Sequence, residues 1–439
     1  ESLTPELLVD FASAFGAYCD GGTVVIGRDT RRSSAMLRAA ALSSLLAAGC
    51  HVLDLGVAPT PLVSFAVRAL GAAGGLSITG SHNDARWNAF KFLGPDGALL
   101  NAVNTEELLD IYHARDFIRV PWDGLRGWEP APDDLLPRYL ARLLAALDVA
   151  AIRARRFRVA VDFCNGAGLP VVARLLEELG CALIPLNEEP DGVFAHAPAP
   201  TAANMRQLAA LMKHLTVDLG AAINIDGDRI GFVTADGEPL TEEHTLPLVA
   251  AHVLSRQPGP VVTNLSTSRM VEAAADAAGQ PVIRTMIGEG HVMGRALAER
   301  AALAGEGSGG VALLPAAATF DAFLTLGLVL EAMAASDESL AALAGRLPRS
   351  AMRKGTVACP PNLVYHVLEG FHEHYQRARL DLTEGVRAAW HNGWIHVRAS
   401  NTEPLVRIVA EADTEERAEE MFENAMTFAN QAAFVTAGR

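Results

Sequence analysis

Thr23-Val24-Val25-Ile26-Gly27 is a short β-branched run closed by a glycine, and it sets the fold class. Such a run reads as a strand buried in a sheet. The spacing predicts a helix over 33–48 and a second strand at 51–55. Pro59-Thr60-Pro61 then breaks the chain before another helix, and 76–79 makes a third strand. Strand and helix alternate, which is the signature of a mainly parallel sheet with helices on its faces.

The rhythm restarts twice downstream. A second round has a strand at 157–162, a helix at 169–179 and a strand at 182–186. A Pro- and Ala-rich irregular stretch follows at 190–201, then strands at 220–225 and 230–234. The third round runs through a strand at 259–264, a helix at 267–278, a strand at 281–285, a helix at 291–300 and a glycine-rich loop at 305–310. Residues 311–335 are the most apolar stretch, but Asp321 and Glu331 interrupt it, so it reads as a buried helix with its lead-in and not a membrane span. The last part differs. Strands at 354–359, 386–390, 393–398 and 405–411, with helices at 362–377 and 415–433, describe an α+β unit with an antiparallel sheet. Asp413 and Thr414 supply the N-cap of its second helix. The expected organisation is three α/β units at 1–150, 151–246 and 247–350 and a smaller α+β unit at 351–439.

The whole has 439 residues, half of them hydrophobic and a fifth charged, which suits large buried cores and excludes wholesale disorder. The formal charge of −15 argues against a nucleic-acid binder, while leaving room for a local cationic pocket that takes small anions. Five scattered cysteines form no C-x-x-C pair, and no basic-then-apolar leader opens the sequence. Both point to reduced thiols in the cytoplasm. Histidines 366, 372 and 374 lack the spacing of a zinc pair and read as a solvated helix face.

Four segments carry chemistry. Thr79-Gly80-Ser81-His82-Asn83 follows a strand end, where ligand sites of parallel sheets collect. It sets a serine beside a histidine, with Asn88 and Lys91 soon after; a polar turn with an N-capping serine accounts for it equally well. Asn224-Ile225-Asp226-Gly227-Asp228-Arg229 places three oxygen-bearing side chains on one side of a strand end. Such donors suit a hard cation such as Mg2+, although D-G is also a common hairpin signal. Gly305-Glu306-Gly307-Ser308-Gly309-Gly310 lets backbone approach a ligand, but no Lys-Ser or Lys-Thr follows it, so it is not a Walker A loop. Arg398-Ala399-Ser400-Asn401-Thr402-Glu403-Pro404, with Arg407 beyond, forms either a phosphate cradle or a solvated turn.

Taken together and in this order, the four segments resemble those of the α-D-phosphohexomutases. Gly27-Arg28-Asp29-Thr30-Arg31, Pro59-Thr60-Pro61 and Asn165-Gly166-Ala167-Gly168 add to a resemblance that covers essentially the whole chain. It implies four domains around a central cleft, each contributing one segment, and a soluble monomer or homodimer. Ser81 matches the serine phosphorylated in the active enzyme. Asn224, Asp226 and Asp228 match the three Mg2+ ligands, with the phosphoserine oxygen of Ser81 as the fourth. Arg229 matches an arginine near the phosphoserine, and His82 and Lys91 match residues that handle protons. Glu306 and Ser308 fall on the sugar loop, and Gly288 and Glu289 on its neighbour. Arg398, Ser400, Asn401, Thr402 and Arg407 fall on the phosphate loop of the last domain. The implied reaction interconverts hexose 1-phosphate and hexose 6-phosphate through a 1,6-bisphosphate, the sugar being glucosamine, mannose or glucose.

The sequence departs from the family pattern at several of these places. Asn224 stands where Asp is usual, which removes a negative charge and lowers the expected metal affinity. Asp84 stands where Pro is usual, and Gly80 where Ala is common. The sugar loop ends Gly309-Gly310 where many members have Gly-His. With Asn264-Leu265-Ser266-Thr267-Ser268 and Trp87-Asn88-Ala89, that is more similar to the archaeal-type phosphoglucosamine mutase branch, whose loop carries Asn where this one has Ser308. The family's glycine-rich N-terminal strand, with its phosphate-contacting arginine, would precede Glu1, where this sequence opens: either the sequence is truncated or that piece is missing. These changes motivate two alternatives: a sugar-bisphosphate synthase or mutase of an unusual sugar phosphate, and a non-catalytic phosphosugar-binding paralogue.

Overall fold

The computed structural model describes residues 3–314, 316–400 and 403–435. After an opening helix, Pro5–Tyr18, the described chain lays down four sheets in sequence. The first contains β1 (Thr23–Arg28), β2 (His51–Val57), β3 (Gly74–Ile78), β4 (Phe90–Leu93) and β5 (Trp128–Pro130). The second holds β6 (Arg158–Asp162), β7 (Ala182–Leu186), β8 (Leu219–Ile223) and β9 (Ile230–Thr234). The third holds β10 (Val261–Asn264), β11 (Val282–Thr285), β12 (Leu303–Glu306) and β13 (Gly310–Leu313).

The first three sheets share one plan. Spatial order runs second strand, first, third, fourth; β5 is an added edge on the first sheet. The first three strands of each are parallel, and the fourth returns antiparallel to the third. The junctions β3–β4, β8–β9 and β12–β13 therefore sit at the carboxyl ends of parallel strands, one per sheet. These are the junctions that hold Ser81, the 224–229 turn and the 305–310 segment. That last segment, expected to be a loop, is a tight hairpin whose ends are β12 and β13.

The fourth sheet is antiparallel in the order β14 (Ala351–Ala358), β18 (Leu405–Ala412), β17 (Gly393–Ala399), β16 (Val386–Trp390), β15 (Arg379–Asp381). It carries one strand more than expected. Two helices, Val364–His374 and Glu415–Val435, cover it, and Thr414 caps the second by accepting from the Arg417 amide at 3.2 Å.

Core packing divides the molecule unevenly. One apolar cluster runs continuously from Val25 through Val161 and Phe232 to Leu303 and Leu340, so the first three sheets are fused. The fourth sheet keeps its own core, from Ala351 to Ala433. It meets the third through polar contacts. Buried Glu411 accepts from Ser268, from Trp394 and, at 3.0 Å, from the Arg269 amide. His396 meets Ser266 at 2.8 Å, and Glu384 accepts from the Ile287 amide at 2.6 Å. A polar joint of this kind can be remade at modest cost, whereas the apolar core cannot. Cys19, Cys50, Cys164 and Cys359 are buried, and all five thiols are free. No described helix is long and apolar enough to cross a membrane.

Candidate active site

The expected residues converge from different sheets. Ser81, at the end of β3, is buried and lies 3.3 Å from both carboxylate oxygens of Asp228, which follows β8. Asn224 Nδ2 donates to Ser81 Oγ at 3.2 Å, to Asp226 Oδ1 at 3.0 Å and to Asp228 Oδ1 at 2.6 Å. The turn that allows this is closed by Gly227, whose φ of +71° suits glycine. Asn224 Oδ1 faces the other way and accepts from the Arg229 amide at 3.0 Å. Lys91, on β4, puts Nζ between the two carboxylates, 2.8 Å from Asp226 Oδ2 and 2.6 Å from Asp228 Oδ2.

This cluster sets its own proton affinities. Burial opposes the Lys91 ammonium, but Asp226 and Asp228 outweigh it and hold its pKa above the ordinary lysine value. Burial also opposes charge on Asp228, yet Lys91 and Arg229 keep it well below the usual carboxylate range. Burial and the neighbouring Asp228 raise Asp226 against the pull of Lys91. Arg229 and burial push His82 down to about 3, so its imidazole is neutral. Its Nδ1 is buried without a hydrogen-bond partner among the described residues, as are Arg229 Nε and Ser308 Oγ.

Beyond the cluster opens a cleft of about 800 Å3 walled by all four sheets. His82 and Arg229 line it from the first two; Gly288, Glu306 and Ser308 from the third; Arg398, Ser400 and Arg407 from the fourth. The Gly288 amide donates to Glu306 Oε1 at 2.9 Å. Burial lowers the pKa of Arg398, while Glu384, 3.4 Å away, supports its charge. Glu289 takes a different place. It opens the helix Glu289–Ala298 and its carboxylate accepts from Thr319 and from the Phe320 amide. Burial, with Asp228 adding and Lys91 opposing, pushes its carboxyl up to about 7. Asn401 and Thr402 lie outside the described residues.

The oxygen donors fit a hard divalent cation. Two buried carboxylates and the Ser81 hydroxyl gather around the Asn224 amide group, and Mg2+ favours such ligands. Asn224 fits as a donor when its amide turns its oxygen inward. Among the described residues no group of three acidic, His or Cys side chains converges to hold a metal, because the third member of this set is an amide.

Several contributors were not singled out as site residues. Thr60, from the Pro-Thr-Pro step, donates to Asp226 Oδ2 at 2.8 Å and ties it to the β3 neighbourhood through Ser77. Lys354, on β14, reaches across the cleft wall to Glu243 at 2.7 Å and Glu242 at 2.9 Å. Arg31, buried, donates to the Ser81 carbonyl at 3.0 Å and to that of Asn83. The Phe194 ring lies 5.0 Å from its guanidinium.

The segment that carries Phe194 is tied to the second sheet by His196, which acts as a latch. His196 Nε2 lies 3.0 Å from Asp162 Oδ2, at the end of β6. Burial works against charge on this histidine, but Asp162 and Cys164 hold its pKa up at about 11. A raised histidine pKa means the pair stabilises the fold fully below about 6.5 and stops doing so as pH rises through about 11. The stability difference between the native protein and His196→Gln, read by urea unfolding, should therefore be largest near pH 6 and shrink steadily toward pH 11. A difference that stays flat over this range would contradict a charged latch.

Family models described as phosphoglucomutase/phosphomannomutase match in order: alpha/beta/alpha domain I at residues 1–119, domain II at 137–237, domain III at 241–350 and the C-terminal domain at 368–427. A "phosphoglucomutase/phosphomannomutase" of Thermococcus kodakarensis is 34% identical over 441 residues, covering 96% of this chain and 94% of its own. A "probable phosphoglucosamine mutase" of Methanopyrus kandleri is 34% identical over 430 residues, covering 96% and 93%. Among solved structures, a phosphoglucomutase/phosphomannomutase family protein of Burkholderia thailandensis superposes with a TM-score of 0.85 at 27% identity, covering 99% of this chain and 95% of that one.

Proposed function

The chain belongs to the phosphoglucomutase/phosphomannomutase family, isomerase-class mutases, and we propose that it interconverts hexose 1-phosphate and hexose 6-phosphate through phosphoserine 81 and a hexose 1,6-bisphosphate. The observation that carries this reading is the contact of Ser81 Oγ with Asp228 at 3.3 Å, beside a cleft to which all four sheets contribute. Glucosamine phosphate leads mannose and glucose phosphates as substrate, because several relatives covering nearly the whole chain are called probable phosphoglucosamine mutases and one is called a phosphoglucomutase/phosphomannomutase.

The residues divide the work. Phosphoserine 81 donates: its P–O bond to serine breaks as one forms to the free sugar hydroxyl, and that hydroxyl loses its proton. Neutral His82, which lines the cleft and whose Nδ1 has no hydrogen-bond partner among the described residues, receives it; a phosphate dianion beside this ring raises its basicity. Lys91, hydrogen-bonded to the same Asp228 carboxylate that Ser81 Oγ contacts, returns a proton to the serine oxygen. The bisphosphate then turns, and its other phosphate goes back to Ser81. Arg398, Ser400 and Arg407 hold whichever phosphate is not reacting, with Asn401 and Thr402 assigned to the same loop. Glu306, Ser308, Gly288 and Glu289 orient the sugar, and Arg229 steadies the transferring group. Asp226, Asp228, the Ser81 oxygen and the turned amide of Asn224 would hold Mg2+, which when bound neutralises charge on the transferring phosphoryl group.

A panel of glucosamine, mannose and glucose 1-phosphates, each with a trace of its 1,6-bisphosphate, tests the reading. Glucosamine 6-phosphate should form fastest, activity should vanish with a chelator, and Mg2+ should restore it. No conversion of any sugar by protein that is folded and supplied with bisphosphate and Mg2+ would overturn the assignment.

A further inference from the structure

We infer that the exposed edge strand β5 is where two copies of this chain meet, paired about a two-fold axis that passes beside Trp128. The surface lies away from the cleft, so the inference does not depend on the reaction proposed above.

The backbone of this edge is self-complementary. β5 ends its sheet, and all three of its residues are exposed. On its inner side the Gly127 carbonyl accepts from the Val52 amide at 3.2 Å, and the Ala131 amide donates to the Asp54 carbonyl at 2.9 Å. Backbone groups alternate along a strand. Glu129 therefore also faces β2, while the Trp128 amide and carbonyl face outward. Two such strands laid antiparallel form a hydrogen-bonded pair, in which each Trp128 amide donates to the other copy's Trp128 carbonyl. Pro130 has no N–H with which to extend the ladder, so the pairing stays short and closes on one partner.

The side chains around the edge suit the core of an interface. Trp122 is 85% exposed, and Leu125 and Trp128 are half exposed. Tryptophan gives up a large apolar area to a partner and is among the residues on which interfaces depend most. The Trp128 ring is already steadied by Arg38, whose guanidinium lies 5.3 Å from its centre.

Charge selects a second copy as the partner. At a formal charge of −15, two copies repel over most of their surface. Between residues 118 and 130 the charges balance, Arg119 and Arg126 against Asp123 and Glu129. Within the chain both arginines bond neutral groups: Arg126 the Gly21 carbonyl at 3.1 Å, and Arg119 the Ile118 carbonyl at 2.9 Å and the Ser13 hydroxyl at 3.0 Å. Antiparallel pairing centred on Trp128 sets Arg126 of each copy next to Glu129 of the other, so the flanks attract. The segment also packs on the end of the first sheet remote from Ser81. Its Val120 amide donates at 3.1 Å to the Ala47 carbonyl, shortly before β2, and Gly21 shortly precedes β1. A dimer built here leaves the cleft open.

Sedimentation equilibrium of the whole protein tests this. At ~10 µM the native protein should have the mass of two chains. Trp122→Ala and Trp128→Pro should each weaken association at least ~10-fold while keeping the native circular dichroism. Proline at 128 removes only the outward N–H and no bond to β2. Arg126→Glu should weaken association as well, and adding Glu129→Arg should restore it, which local misfolding would not do. Native protein that sediments as a single chain up to ~100 µM would overturn the inference, as would a dimer whose strength both tryptophan variants leave within about twofold.

Discussion

Ser81→Ala is expected to abolish turnover, lowering kcat by at least ~10^4-fold while leaving the fold intact. The hydroxyl oxygen is the only heavy atom removed. Its contacts, 3.3 Å to Asp228 and 3.2 Å from Asn224, are at the weak end of hydrogen-bond geometry. The backbone there is held independently: the Ser81 amide donates to Thr79 Oγ1 at 2.8 Å and its carbonyl accepts from Arg31 at 3.0 Å. Stability should therefore change by less than ~1 kcal/mol. The Thr60 hydroxyl, which also contacts the turn, is buried and engaged by Asp226 and Ser77, so it does not stand ready to carry the phosphate instead. Intact mass after incubation with bisphosphate should show no added phosphate. A variant that keeps more than ~1% of native turnover would mean that the phosphoryl group travels by another route.

The strands that organise the site could be read in the sequence where burial imposes a composition. β1, β6 and β10 are apolar, largely β-branched runs because parallel strands are covered on both faces. β12, Leu303-Ala304-Gly305-Glu306, has no such signature; it becomes a strand through its pairing with β10 and β13. β5 is three exposed residues on a sheet edge and shows as little. The site follows the same rule. Ser81 and the 224–229 turn stand in compact motifs whose residue types announce them. The partners that fix them come from far away: Lys91 and Asp226 are 135 residues apart, and Lys354 and Glu243 are 111. Periodicity reports only local order, so it cannot see such pairs. Nor does the letter Asn at 224 say which end of its amide faces the carboxylates; that is decided by the Arg229 amide, which claims the oxygen.

Arg31 is where the second large effect is expected. Ser81 has φ of 49°, left-handed and unfavourable for a residue with a side chain. Arg31 holds it there. Its side chain is 1% exposed and paired with Asp29, and it donates to the carbonyls of Ser81 and Asn83 on either side of His82. Asp29 is itself fixed by Ser34 at 2.7 Å and by the Arg31 amide at 2.9 Å. The packing is close enough to explain Gly80: a Cβ there would lie 2.6 Å from the Trp87 carbonyl oxygen and 2.9 Å from the Arg31 guanidinium carbon. Arg31→Ala would leave Asp29 a buried charge without its partner and two carbonyls without a donor, which costs about 3–5 kcal/mol. Because loss of stability alone could silence such a variant, Arg31→Lys is the sharper measurement. It keeps the charge toward Asp29 but cannot reach Asp29 and both carbonyls with one planar fork. If Arg31 positions Ser81, Arg31→Lys should keep most of the native melting temperature, leave KM within about twofold and lower kcat by ~10-fold or more. If its role is only to fill the interior, the lysine variant should lose stability and keep the turnover of whatever remains folded.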